Sequence, residues 1–92
     1  MDYAEFLTKA KRYIELCENN YFTTGLFCES TIKADLENRS EKKQFYLNDF
    51  NEVEKNLDLL LSCLPVNHLF APRCKRCKEQ IGKLRNLVQN FS

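Results

Sequence analysis

Apolar side chains recur along this chain at spacings of three and four. That is the pattern of helices with one buried face, not the alternation of two that strands require. Tyr3, Phe6, Ala10, Tyr13 and Cys17 form the first such line, with Leu7 and Ile14 beside it. Asp2 stands where an N-cap belongs, and Glu5 three residues on completes the pattern of a capping box. Asn19 and Asn20 tolerate left-handed backbone and mark the end, so the first helix is predicted over residues 3–19.

The next stretch, YFTTGLFCESTI, mixes β-branched and aromatic residues that would suit a hairpin as well as a helix. A helix over 21–37 is the preferred reading, with Phe22, Leu26, Glu29, Lys33 and Leu36 on one line and Gly25, Cys28 and Ile32 on another. After a break at residues 38–40, Tyr46, Phe50, Val53, Leu57, Leu60 and Leu64 repeat with the heptad period of packed helices. Ser40 is the candidate cap and Pro65 the stop, giving a third helix over 41–64. Pro72 suits a first helical position, and Cys74, Cys77, Ile81, Leu84, Val88 and Phe91 then carry a fourth helix over 73–91. Short connections make successive helices antiparallel, so the expected fold is all-α: an antiparallel four-helix bundle forming a single domain over 1–92.

Composition narrows the class without naming a function. Ninety-two residues, 43% hydrophobic and 29% charged, fit one globular domain, and two Gly with two Pro leave little turn material for an all-β fold. The N-terminal stretch interleaves charges where a secretory signal needs an apolar run, and Leu59-Leu60-Leu61 is far short of the ~20 residues of a membrane span. A cytoplasmic protein with no membrane partner is expected. Five cysteines, an odd number, then read as reduced thiols.

The net charge of +1 is unevenly divided. Residues 1–72 carry 8 basic and 12 acidic side chains, whereas residues 73–92 carry 6 basic and 1 acidic. Arg73, Lys75, Arg76 and Lys78 crowd the predicted start of the last helix, where the positive end of the macrodipole disfavours cations, and Lys83 and Arg85 extend the positive surface. Free N–H groups and cations together make an anion site, and Leu69 and Phe70, with Val66, add an apolar rim of the kind found at binding hot spots. These residues are the candidate partner-binding surface. The alternative is internal neutralisation by Asp49, Glu52, Glu54 and Asp58 on the third helix, although Asp49 and Glu52 lie too far along it to serve Arg73 and Lys75.

An antiparallel bundle would bring Cys17, Cys28, Cys63, Cys74 and Cys77 to within ~10 Å of one end, with His68 in the loop above them. These are ligand types zinc prefers, and a structural zinc site is one alternative. The seam positions of Cys17, Cys74 and Cys77 instead favour core packing, and no second C-x-x-C or H-x3–5-H supplies further ligands, so no metal or cofactor is expected. A redox role for the C-x-x-C lacks the preceding strand of a thioredoxin-like fold.

One His, no glycine-rich phosphate loop and no carboxylate pair singled out by context leave no catalytic constellation, so the chain is expected not to be an enzyme. Its size and surface fit a small protein-interaction module of the inhibitor, immunity-protein, antitoxin or adaptor type, from a bacterial or phage source on composition, with an acidic partner. Nucleic-acid binding through the basic start of the last helix is the alternative from another class.

Overall fold

The computed structural model describes residues 2–91. Met1 and Ser92, the outermost residues of the expected 1–92 domain, lie outside the described residues. Four α-helices and one 3-10 turn account for the regular structure: α1 Tyr3–Tyr21, α2 Glu29–Asn38, the turn Ser40–Lys42, α3 Lys43–Cys63 and α4 Phe70–Gln89. The chain is an all-α four-helix bundle, as the periodicity predicts.

Asp2 caps α1, its Oδ1 accepting the Glu5 N–H at 2.8 Å. The buried line of this helix is Ala10, Ile14, Cys17 and Tyr21, rotated from the predicted one, so that Tyr3 is 55% exposed. Beyond Tyr21 the helix stops, and residues 22–28 form a turn instead of the predicted first half of a second helix. Thr23 and Thr24 weaken helix there, and the turn folds back onto the end of α1. Phe27 N–H bonds to Asn20 O at 2.7 Å, and Gly25 N–H to Phe22 O at 2.8 Å. A Cβ at Gly25 would lie 2.3 Å from Asn20 O, so only glycine permits this closure. The requirement is space, since no residue has positive φ among those described.

Cys28 becomes the N-cap of α2, which buries Ile32 and Leu36. Ser40 opens the 3-10 turn and provides no side-chain cap to α3. Along α3, Tyr46, Phe50, Val53, Leu57 and Leu64 of the predicted heptad line are buried, and Leu60 is partly buried. Helix α4 begins at Phe70, three residues before the predicted Arg73, which places Pro72 third in the helix. Its missing N–H falls among the first-turn donors that have no intrahelical acceptor, so the proline is tolerated there.

Side-chain pairings fix the helix directions. Glu18 meets Arg73 and Tyr21 O meets Gln80, so α1 and α4 run the same way. Tyr21 with Asp49 and Tyr13 with Asn56 make α1 and α3 antiparallel, as do Lys78 with Asp58 and Lys43 with Gln89 for α3 and α4. Cys28 and Lys33 of the α2 segment line a cleft with Gln80 and Lys83, while the turn after α2 leads to Lys43 beside the end of α4. Helix α2 therefore continues in the sense of α1, and α3 is antiparallel to the other three. The molecule measures 44 × 21 × 21 Å. At ~1.5 Å per residue, α1 and α2 laid end to end account for the long dimension. The expected reversal between the first two helices is absent because the turn at 22–28 changes the course of the chain without turning it around.

One core runs through the bundle, with Phe50, Ile14, Ile32, Leu57, Ile81, Leu84 and Val88 essentially sealed from solvent. Two tyrosines fasten its edge. The Tyr21 hydroxyl donates to Asp49 Oδ2 and the Tyr46 hydroxyl to Asp35 Oδ2, each at 2.6 Å, and both phenols ionise above their ordinary range, chiefly through burial.

Candidate functional site

Helix α4 emerges from the connector at residues 64–69, which is held by local hydrogen bonds. His68 N–H donates to Pro65 O, and His68 O and Nδ1 receive the Ala71 and Phe70 N–H groups, all at 3.0 Å. His68 thus satisfies two first-turn donors of α4 and stands edge-on to Phe70, with ring centroids 4.7 Å apart. Phe70 is half-buried and packs against the core, so of the predicted apolar pair only Leu69, 72% exposed, reaches solvent freely. Val66 is 91% exposed. Leu61, Leu64, Pro65, Val66, Ala71 and Lys75 line a cleft of about 230 Å³ at this end of the bundle.

The cations behind this connector divide into held and free. Arg73 pairs with Glu18 through two nitrogens, Nη2–Oε1 at 2.6 Å and Nε–Oε2 at 3.1 Å, and this bond holds the Glu18 carboxyl below its usual range. Lys78 pairs with Asp58, and Arg85 with Glu54 at 2.5 Å. Glu54 and Asp58 thus perform the internal neutralisation anticipated for α3, while Asp49 is engaged by Tyr21. Glu18, on α1, is a partner outside the α3 carboxylates from which neutralisation was expected. Lys75, Arg76 and Lys83 are exposed and make no ion pair among the described residues.

Because α4 starts at Phe70, Arg73 is its fourth residue and Lys75 and Arg76 lie in the second turn. The dipole field falls off within the first turn, so the conflict between cations and helix start is weaker than the sequence suggests. What distinguishes this surface is that unpaired Lys75 lines the same cleft as exposed Val66, with exposed Leu69 in the same connector and unpaired Arg76 next along α4. Lys83 lies eight residues beyond Lys75, ~12 Å along the axis, on a different cleft of about 480 Å³ shared with Cys28 and Lys33.

The cysteines do not collect at one end. Cys17, Cys74 and Cys77 are buried in the core, and burial pushes their thiols up, Cys17 to about 12 and Cys77 to about 11. Cys63 is exposed at the end of α3, whereas Cys28, kept beside the end of α1 by the turn at 22–28, takes the N-cap position of α2 on the cleft with Gln80 and Lys83, beyond Cys77 along α4. The Cys28 Sγ lies 3.3 Å from both Ser30 Oγ and Thr31 Oγ1, and these hydroxyls bring its thiol down to about 7. Among the described residues no group of three or more His, Cys, Asp or Glu is placed to hold a metal ion, and the C-x-x-C pair is buried with raised thiols, the reverse of a redox pair. No helix among the described residues is long and apolar enough to cross a membrane.

Against known proteins, the chain is similar to a segment of viral polymerase subunits. It is 27% identical over 94 residues to the DNA-directed RNA polymerase 132 kDa polypeptide of Monkeypox virus (strain Zaire-96-I-16), an alignment covering 98% of this chain and 8% of that protein. The DNA-directed RNA polymerase 133 kDa polypeptides of Vaccinia virus (strain Copenhagen) and Variola virus (isolate Human/India/Ind3/1967) align with the same identity and the same coverage. The chain thus spans about 8% of the length of the curated relatives it matches. No protein-family model matches it. No solved structure matches it.

Proposed function

We propose that the chain is a non-catalytic helical interaction module that occupies the surface of a protein partner through loop 64–69 and the second turn of α4. The observation that carries this reading is that, among the described residues, Lys75 is left unpaired in the cleft it shares with exposed Val66, and Arg76 next to it is unpaired too, while three neighbouring cations are neutralised internally. A partner that presents carboxylates around an apolar contact satisfies both features at once. Inhibitor, immunity-protein, antitoxin and adaptor roles all work in this way. The likeness to a small part of DNA-directed RNA polymerase polypeptides makes a transcription enzyme the first place to seek the acidic partner. Reduced thiols suit a cytoplasmic setting.

The test compares wild type with a Lys75→Glu, Arg76→Glu double variant and a Val66→Ser, Leu69→Ser double variant, first by affinity capture and then by titration of the captured partner. All four side chains are exposed, so folding is preserved. Each double variant should weaken binding by about tenfold or more. Binding unchanged in both overturns the assignment of this surface.

The named activity of the relatives favours one second reading, contact with nucleic acid through the free cations Lys75, Arg76 and Lys83. Three phosphate contacts predict affinity falling with salt at a log–log slope of about −2.7 on duplex DNA. Undetectable binding to random oligonucleotides at low salt removes this reading.

A further inference from the structure

We propose that the groove between the first half of α1 and the second half of α3 is a docking site for a short amphipathic helix with acidic flanks, supplied by a protein partner. Helix α1 stands off α3, and long side chains bridge the gap, with the Asn56 amide donating to the Tyr13 hydroxyl at 3.1 Å. On the α4 side the contact is closer, with Cys74 Sγ within 3.4 Å of Leu57 O. The unequal spacing leaves an apolar groove of about 330 Å³, lined by Phe6, Lys9, Ala10, Tyr13, Leu59 and Leu60 together with Asn56. This volume is at the low end of ligand clefts, which run ~300–1,000 Å³, and suits one or two inserted side chains better than a cofactor. Tyr3, stacked on Phe6, and Leu59 extend the apolar surface at its lip, where they are 55% and 57% exposed.

The charge around the groove selects the occupant. Lys9 lines it, Arg12 follows one turn along the same edge of α1, and Lys55 precedes Leu59 by one turn on α3. None of the three makes an ion pair among the described residues. The nearest carboxylates on the α4 side, Glu54 and Asp58, are already taken by Arg85 and Lys78. Glu5 and Glu52 stand toward the two ends. A helix laid in the groove with apolar residues at i, i+3 or i+4 and i+7 would fill it, and glutamates on its flanks would meet the three cations. The span from Phe6 to Tyr13 is about two helical turns, which fixes the length of the segment.

The probe is a labelled three-turn amphipathic peptide with Leu anchors at that spacing and Glu flanks, beside its counterpart with Lys flanks. Both are titrated into the full chain by fluorescence anisotropy and followed by amide chemical shifts. The Glu peptide should bind, shift the amides of residues 6–13 and 56–60, and exceed the Lys peptide by about tenfold. Leu59→Glu and Lys9→Glu should each abolish that binding without changing the melting temperature, since both side chains are exposed. Binding of neither peptide, equal binding of both, shifts centred on loop 64–69, or dimerisation of the chain lost in Leu59→Glu would each overturn the proposal.

Discussion

Arg73 grips Glu18 across 55 positions of sequence, Nη2 to Oε1 at 2.6 Å and Nε to Oε2 at 3.1 Å, and so clamps together two helices that run in the same direction. The pair is partly shielded, its side chains 26% and 31% exposed, and its two-pronged geometry places it toward the stronger end of surface ion pairs.

Glu18→Gln should therefore lower stability by about 1 kcal/mol at neutral pH, read from denaturant midpoints. The carboxyl is held below its unfolded value of about 4.3, so its contribution is present above that pH and lost as pH falls through the folded value. Wild type and variant should converge at strongly acidic pH. A gap of unchanged size there would show that the pair contributes through packing alone.

Tyr21→Phe removes the hydroxyl that donates to Asp49 and should destabilise the fold by about 1.5–3 kcal/mol, as loss of a hydrogen bond to a charged group does. On the alkaline side, Tyr46 ionises near 12 in the folded chain, against about 10 unfolded. Because the folded value is the higher one, stability should be intact below about pH 10 and decline as pH rises toward the folded value. Tyr46→Phe should flatten that decline, measured by unfolding at stepped alkaline pH.

Thiol labelling should sort the five cysteines into three behaviours. Cys63, exposed, should react first in the native state, and Cys17, Cys74 and Cys77 should react only on unfolding. The rate at Cys28 should rise with a midpoint near pH 7, and Ser30→Ala with Thr31→Val should move that midpoint upward by removing the hydroxyls that stabilise the thiolate. Identical midpoints before and after substitution would exclude the hydroxyls as the cause.

The two glycines should respond oppositely to alanine. At Gly25 a Cβ would strike the backbone of Asn20, and the substitution should destabilise by about 1–3 kcal/mol. At Gly82, inside α4, a Cβ meets nothing within 4 Å, and Gly82→Ala should stabilise by about 0.5–1 kcal/mol. Melting curves of the two variants check both signs.

Helix number, the seams of α3 and α4 and the Asp2 cap were legible in the sequence because each rests on local period or a single side chain. Helix direction was not. It depends on the turn at 22–28, where Gly25 acts through what it lets approach, a property invisible to spacing. The expected gathering of cysteines needs the close of α1 to lie level with the close of α3 and the start of α4, whereas Tyr21 meets Asp49 and Gln80, part-way along both helices. The groove is not legible in the sequence either. Tyr3, Phe6 and Tyr13 read as one buried stripe with Ala10 and Cys17, whereas a helix with apolar residues on a broad arc can turn only part of that arc inward. Charge alone marks Lys75 and Arg76 together with Arg73, Lys78 and Arg85, and only the ion pairs separate the free cations from the held ones.

The interruption at 22–28 also sets where the bundle yields. Helix α2 has ten residues, too few to persist alone in water, and only Ile32 and Leu36 anchor it within the core. It behaves as a latch over the far ends of α3 and α4, and its amides should be the first of the four helices to exchange with solvent while α1 stays closed.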